Sequence, residues 1–226
     1  MNRYYSLYTG DEGSELHIYG DITSYEYLES DVSSNSIAKE LAELDSTKPL
    51  TVYINSYGGE VAEGLAIYNQ LKRFGQCKTV VDGFAASIAS VIFMAGRERI
   101  MSPSSLLFIH NAWTMAVGNS EELRKTADDL EKMTSASIGA YMEHVNIGED
   151  KLREMLDAET WLNADEAVEM GFATEKAASQ TSGRPSQSAR DKFAELWQKA
   201  RTPEEPTPAE ENEMQKFFGT LSRKDD

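Results

Sequence analysis

Between residues 50 and 109, short apolar runs alternate with amphipathic helical stretches, and that alternation leaves the chain few possible folds. Leu50-Thr51-Val52-Tyr53-Ile54 reads as a buried strand, and Asn55-Ser56-Tyr57-Gly58-Gly59 as the turn that ends it. Val61, Leu65, Ile67, Tyr68 and Leu71 then fall on one helical face that closes near Phe74-Gly75. A strand over 77–82 follows, then a helical segment from Ser87 toward Gly96, then short strands near 98–102 and 105–109. Upstream, Leu16-His17-Ile18-Tyr19 reads as the first strand, ended by Gly20-Asp21. Ile37, Leu41 and Leu44 mark a helix over 33–45 behind capping serines. Strands joined through helices build βαβ units, so the expected class is α/β with a mainly parallel sheet.

Downstream, residues 120–146 predict one long helix, with Ser120 as N-cap and Glu121 and Glu122 in its first turn. A helix near 149–156 follows. Asn163-Ala164-Asp165-Glu166 is a capping box for a last helix ending at Gly171. Beyond Glu175 the composition changes. Two regions are therefore expected: a folded domain over 1–175, and a linker and tail over 176–226 with one short amphipathic helix at 190–200. The 13 basic and 29 acidic side chains of residues 1–175 carry the whole net charge of −16, while the tail holds 9 of each. So acidic a body suits solubility and argues against a nucleic-acid-binding face. No apolar run approaches the ~18 residues of a membrane-spanning helix, and Met1-Asn2-Arg3-Tyr4-Tyr5 lacks an apolar signal core. The single Cys77 fits a reducing, cytoplasmic location.

The chemistry centres on Gly83-Phe84-Ala85-Ala86-Ser87-Ile88-Ala89-Ser90. A serine at a strand-to-helix turn, ringed by small residues, is a candidate nucleophile, with open amides at the helix start to receive an oxyanion. His110, closing the strand Leu106-Leu107-Phe108-Ile109, is the best-placed base of three histidines, because parallel strand ends converge on one edge of a sheet. An orienting carboxylate is expected from Asp157-Ala158-Glu159-Thr160-Trp161, read as a loop, in which Asp157 and Glu159 are both candidates. Gly58-Gly59 can add a further oxyanion amide. No paired Cys/His spacing suggests zinc, and no metal or organic cofactor is expected.

Tyr53-Ile54-Asn55-Ser56-Tyr57-Gly58-Gly59, Gly83-Phe84-Ala85-Ala86-Ser87, Ile109-His110-Asn111 and Thr160 through Ala173 together resemble the Clp protease proteolytic subunit (ClpP) family over about residues 14–175. The resemblance implies a crotonase-like fold of stacked βαβ units and a serine peptidase acting inside a homo-oligomeric ring or double ring, often heptameric. It assigns Ser87 as nucleophile, His110 as base, and Gly58 and Ile88 as oxyanion donors. Gly59, Glu60 and Val61 would bind an extended polypeptide substrate, and the helix at 120–146 would be the handle through which rings stack. Tyr57 stands where the family has Pro, Ile88 where it has Met, and Glu159 aligns with the family aspartate, with Asp157 as fallback. The N-terminal region is shorter than is usual in the family, with the first strand beginning near residue 14, which implies a reduced or missing axial-pore loop. With the Glu-Thr-Trp variant and the tail, it makes the chain most similar to phage and prophage Clp-like head maturation proteases. Those cut scaffold and capsid proteins, in the host cytoplasm when phage-encoded. The alternatives are a housekeeping subunit served by an ATPase unfoldase, an acyl-CoA enzyme on the same fold, and a non-catalytic capsid-assembly protein.

Overall fold

The structure, a computed structural model, describes residues 6–10, 13–25, 28 and 31–178. The expected short helix at 190–200 and nearly all of the expected tail lie outside the described residues. Five strands and three helices come in the order foreseen: β2 (Gly13–Ile18), α1 (Ser34–Glu43), β3 (Leu50–Ser56), α2 (Val61–Phe74), β4 (Cys77–Ala86), α3 (Ile88–Phe93), β5 (Glu98–Met101) and β6 (Leu106–Ile109). Next come α4 (Ser120–Met142), α5 (Glu149–Asp157), β7 (Thr160–Asn163), α6 (Ala164–Glu169) and β8 (Glu175–Lys176). The pairings β2–β3, β3–β4, β4–β5, β4–β6 and β5–β8 are all parallel. This is an α/β fold of stacked βαβ units, as the resemblance implied.

Three strands escaped the sequence reading, one of them β8, which pairs with β5 where the linker was expected to begin. β1 (Ser6–Gly10) precedes the expected first strand and pairs antiparallel with β2. β7 pairs antiparallel with β6, so Thr160 and Trp161 are strand residues rather than loop. Asp157 is correspondingly the last residue of α5, leaving only Ala158 and Glu159 as the connecting turn. Three boundaries also move. The cap of α4 is Asn119, whose side chain accepts from the Glu121 and Glu122 amides, and that helix ends at Met142. β4 runs on to Ala86, against the expected end at 82.

The extension of β4 positions the site. Ile54 pairs with Val81, yet Ser56 pairs with Ala85, so β4 spends two extra residues across this step. The bulge is pinned by Asn55, whose Oδ1 accepts the Phe84 amide at 3.1 Å. Gly83 packs so tightly on the Asn55 side chain that no Cβ would fit there. Below the bulge β4 pairs with β5; above it, residues Phe84, Ala85 and Ala86 pair with β6. One strand thus serves two partners, and its bent end delivers Ser87 beside the C-terminal end of β6.

The core lies between the sheet and helices α1, α2 and α3, filled by Leu16, Ile54, Ile67, Leu71, Ile92 and Phe93. Arg99 of β5 is buried (5% exposed) and donates Nε to Phe172 O (2.8 Å), Nη1 to Gly96 O (3.0 Å) and Nη2 to Gly171 O (3.3 Å). Those carbonyls close α3 and α6, where backbone acceptors lack helical partners and negative dipole ends gather. Among the described residues, no helix is long and apolar enough to cross a membrane.

Candidate active site

Ser87 caps α3 with φ 57° and ψ −130°. Positive φ is uncommon for a residue with a Cβ and marks a sharp strand-to-helix turn that lifts the side chain clear of both elements. Three hydrogen bonds hold the turn, one of them from the Ser90 amide to the Ser87 carbonyl at 3.0 Å. The Ser87 amide donates to Phe108 O at 2.9 Å, and the Ser87 carbonyl accepts from Ser90 Oγ at 2.5 Å. Ser90 Oγ also lies 2.6 Å from the hydroxyl of Tyr141, a buried residue of α4. The long helix therefore braces the serine turn through one buried hydroxyl pair.

The hydrogen bond from the Ser87 amide to Phe108 O sets Ser87 beside the residue two before His110, and His110 Nε2 lies 2.8 Å from Ser87 Oγ. Both residues are half-buried. Neither other histidine takes part. His17 sits in an aromatic cluster, stacked on Tyr53 (4.8 Å between centroids) with Tyr8 and Tyr19 at its edges. His144 is half-buried behind Arg99, where burial lowers its pKa.

The acid candidates part company. Asp157, exposed at the end of α5, has Oδ1 2.7 Å from Asn111 Nδ2. Glu159, half-buried, takes φ 51° in the turn before β7. The antiparallel register ends with Ile109 paired to Thr160, so His110 and Glu159 are the next residues beyond the last pair.

Gly58 and Gly59 are shaped by close approach. A Cβ on Gly58 (φ 100°) would stand 2.6 Å from the Cβ of Ser87 and 3.2 Å from the Ile88 nitrogen. A Cβ on Gly59 would collide with the Ile22 carbonyl. The Gly58 amide donates to Ser56 Oγ at 3.1 Å. Among the described residues, the amides of Gly59 and Ile88 have no protein acceptor. Glu60 is committed: its amide donates to Ile22 O, its carbonyl accepts from Gly64, and its carboxylate takes the Thr23 and Ser24 hydroxyls. Hydrogen bonding to the Ser24 amide leads the causes that lower the Glu60 pKa. Val61 is the first residue of α2 rather than extended backbone.

One feature had no place in the sequence reading. Phe84, Phe108 and Trp161 share a face across the registers Phe84–Leu106 and Phe108–Trp161. Tyr57 (44% exposed) lies 5.7 Å from Phe84, Phe84 5.8 Å from Trp161, Trp161 4.5 Å from Phe108, and Phe108 5.3 Å from His110, all between ring centroids. The signal was the alternation of aromatic with aliphatic or small residues at 84, 106–108 and 161–162, legible only once β7 is known to pair with β6. Among the described residues, no group of three His, Cys, Asp or Glu is disposed to hold a metal ion.

Comparison with known proteins agrees with this architecture. The Clp protease family model matches residues 14–179. The ATP-dependent Clp protease proteolytic subunit of Bacteroides thetaiotaomicron is 32% identical over 151 residues, covering 64% of this chain and 69% of that protein. The protein of the same name from Deinococcus radiodurans is 32% identical over 145 residues, covering 62% and 71%. ATP-dependent Clp protease proteolytic subunit 2 of Treponema denticola is 31% identical over 160 residues, covering 65% and 80%. With the family model spanning well over half of its length, the chain belongs to the Clp protease family, and it is a serine-type endopeptidase.

Proposed function

We propose that Ser87 is the nucleophile of this endopeptidase, His110 its general base and acid, and Glu159 the group that orients the imidazole. The observation that carries this reading is the 2.8 Å approach of Ser87 Oγ to His110 Nε2. In acylation Ser87 Oγ attacks the scissile carbonyl while Nε2 takes its proton. The imidazolium then protonates the leaving amine, and water repeats the cycle to release the acyl group. An acid opposite the other ring nitrogen selects the tautomer with Nε2 unprotonated. The register favours Glu159 for that role, whereas Asp157 is engaged by Asn111.

The Ile88 amide and the Gly58–Gly59 turn serve as the oxyanion site. Gly58 packs against Ser87 and Ile88, whereas Gly59 packs against Ile22, so Gly58 is the glycine donor proposed beside Ile88. A preorganised donor is worth roughly 3 kcal/mol in sites of this kind. Substrate binding by strand addition falls mainly to Gly59, because Glu60 has spent its backbone groups and Val61 has turned helical.

For the biological setting, the reading is a ring-forming, prohead-type protease that cleaves scaffold and capsid polypeptides. Glu159 in the aspartate's place supports it. A second reading, a proteolytic subunit fed by an ATPase unfoldase, is favoured by the names of the Bacteroides, Deinococcus and Treponema relatives. The enzymatic test is cleavage of unfolded casein by the full chain and by Ser87→Ala. Abolition with an unchanged fold is expected, and retained turnover refutes the assignment. Cleavage of folded proteins only with an added unfoldase and ATP would select the second setting.

A further inference from the structure

We infer that Phe108 is a positioning residue for His110. Its ring is a platform that holds the imidazole and stabilises it when it carries a proton. This rests on the Ser87–His110 reading above. The rings of Phe108 and His110 stack with centroids 5.3 Å apart and planes 25° from parallel. Phe108 has little freedom to move. It is 2% exposed, Trp161 covers it at 4.5 Å, and its own carbonyl holds the Ser87 amide at 2.9 Å. One residue thus fixes the backbone of the nucleophile and the plane of the base together.

The geometry has a specific chemical consequence. A cation within about 6 Å of an aromatic centroid, over the ring face, is attracted by the ring's negative face. The His110 ring becomes cationic only as it accepts the Ser87 proton. The attraction is therefore stronger in the transition state than in the enzyme–substrate complex, and raises kcat rather than tightening binding. Ser87 of the β4–α3 turn faces the imidazole at 2.8 Å, Glu159 follows the last residue paired on β7, and Asp157 of α5 is bonded to Asn111, the next residue after His110. Phe108 adds its effect to theirs without charge of its own.

The test is steady-state cleavage of a fluorogenic peptide over a range of pH by the full-length Phe108→Leu, Phe108→Tyr and Trp161→Phe variants, beside Ser87→Ala. Phe108→Leu keeps an apolar side chain in the slot but removes the ring. Its kcat should fall about three- to tenfold, the rate equivalent of one cation–π contact, with KM little changed. Losing the ring destabilises the imidazolium, so the His110 pKa falls and the acidic limb of kcat/KM moves to lower pH. Phe108→Tyr and Trp161→Phe, which preserve the rings, should keep both kcat and the limb near wild type. If Phe108→Leu folds with wild-type thermal stability yet leaves kcat and the limb unmoved, the inference is wrong. It is equally wrong if Phe108→Leu melts early and Phe108→Tyr, folded normally, loses as much kcat as Phe108→Leu. Wild-type turnover in Ser87→Ala would instead sink the underlying Ser–His reading.

Discussion

At the scale of single residues, the site depends on groups whose neighbours leave them no alternative. Gly58 is the sharpest case, because any Cβ there meets the Ser87 Cβ and the Ala86 carbonyl. Gly58→Ala is expected to push the turn away from Ser87 and cost at least a hundredfold in kcat/KM, about what misplacing a reacting group by an ångström costs. Peptide kinetics on the folded variant would check it. The two acids give opposite expectations. Glu159→Gln should lower kcat by two orders of magnitude or more through loss of the orienting charge. Asp157→Asn, at an exposed helix end, should leave kcat within a few-fold. The reverse ranking would hand the role to Asp157. The meeting of Ser87 and His110 was legible in the chain because a serine after one strand and a histidine closing another are features of local sequence. Glu159 could not be separated from Asp157, because the choice turns on a positive-φ residue and a strand register that only the folded chain sets.

At the scale of elements, the bent strand β4 positions the site, and the Arg99 clamp ties the segment after α3 to the segment after α6. Arg99→Met keeps most of the aliphatic bulk but strands the carbonyls of Gly96, Gly171 and Phe172 without their donor. It should destabilise the fold by about 2–4 kcal/mol, read by urea unfolding, since buried acceptors left unpaired cost about 1–3 kcal/mol each and partly rehydrate. His144 beside it carries a pH signature. Burial and the Arg99 charge hold its pKa below the ordinary 6.5, so the folded state binds its proton less readily than the unfolded chain. Its contribution is therefore full above pH 6.5 and is lost as pH falls toward the depressed folded value. Melting curves between pH 7.5 and 5 should show this loss, and His144→Gln should flatten it. Helix positions were readable from periodicity and caps, and α2 begins at Val61 and ends before Gly75 as its apolar face and glycine required. What escaped were features made by pairing: β1, the bulge over 82–84, the two-residue β8 beside β5, and β7, whose Thr-Trp-Leu-Asn resembles a loop until β6 lies beside it.

At the scale of the whole molecule, the eight strands of the described residues bring two chain segments 23 residues apart to one point, where the proposed function places the chemistry. The order of strands and helices was visible in the chain because each element carries its own apolar pattern. The joining of the upper half of β4 to β6 and β7 was not, because it depends on a bend in the middle of a strand. The account stands on Ser87 being activated by His110. The direct measurement is labelling of the full chain with a fluorophosphonate, followed by peptide mapping. A single adduct on Ser87, lost in His110→Ala and in protein denatured before labelling, is expected. No adduct on Ser87 in protein that cleaves casein, or undiminished labelling of Ser87 in folded His110→Ala, would contradict it.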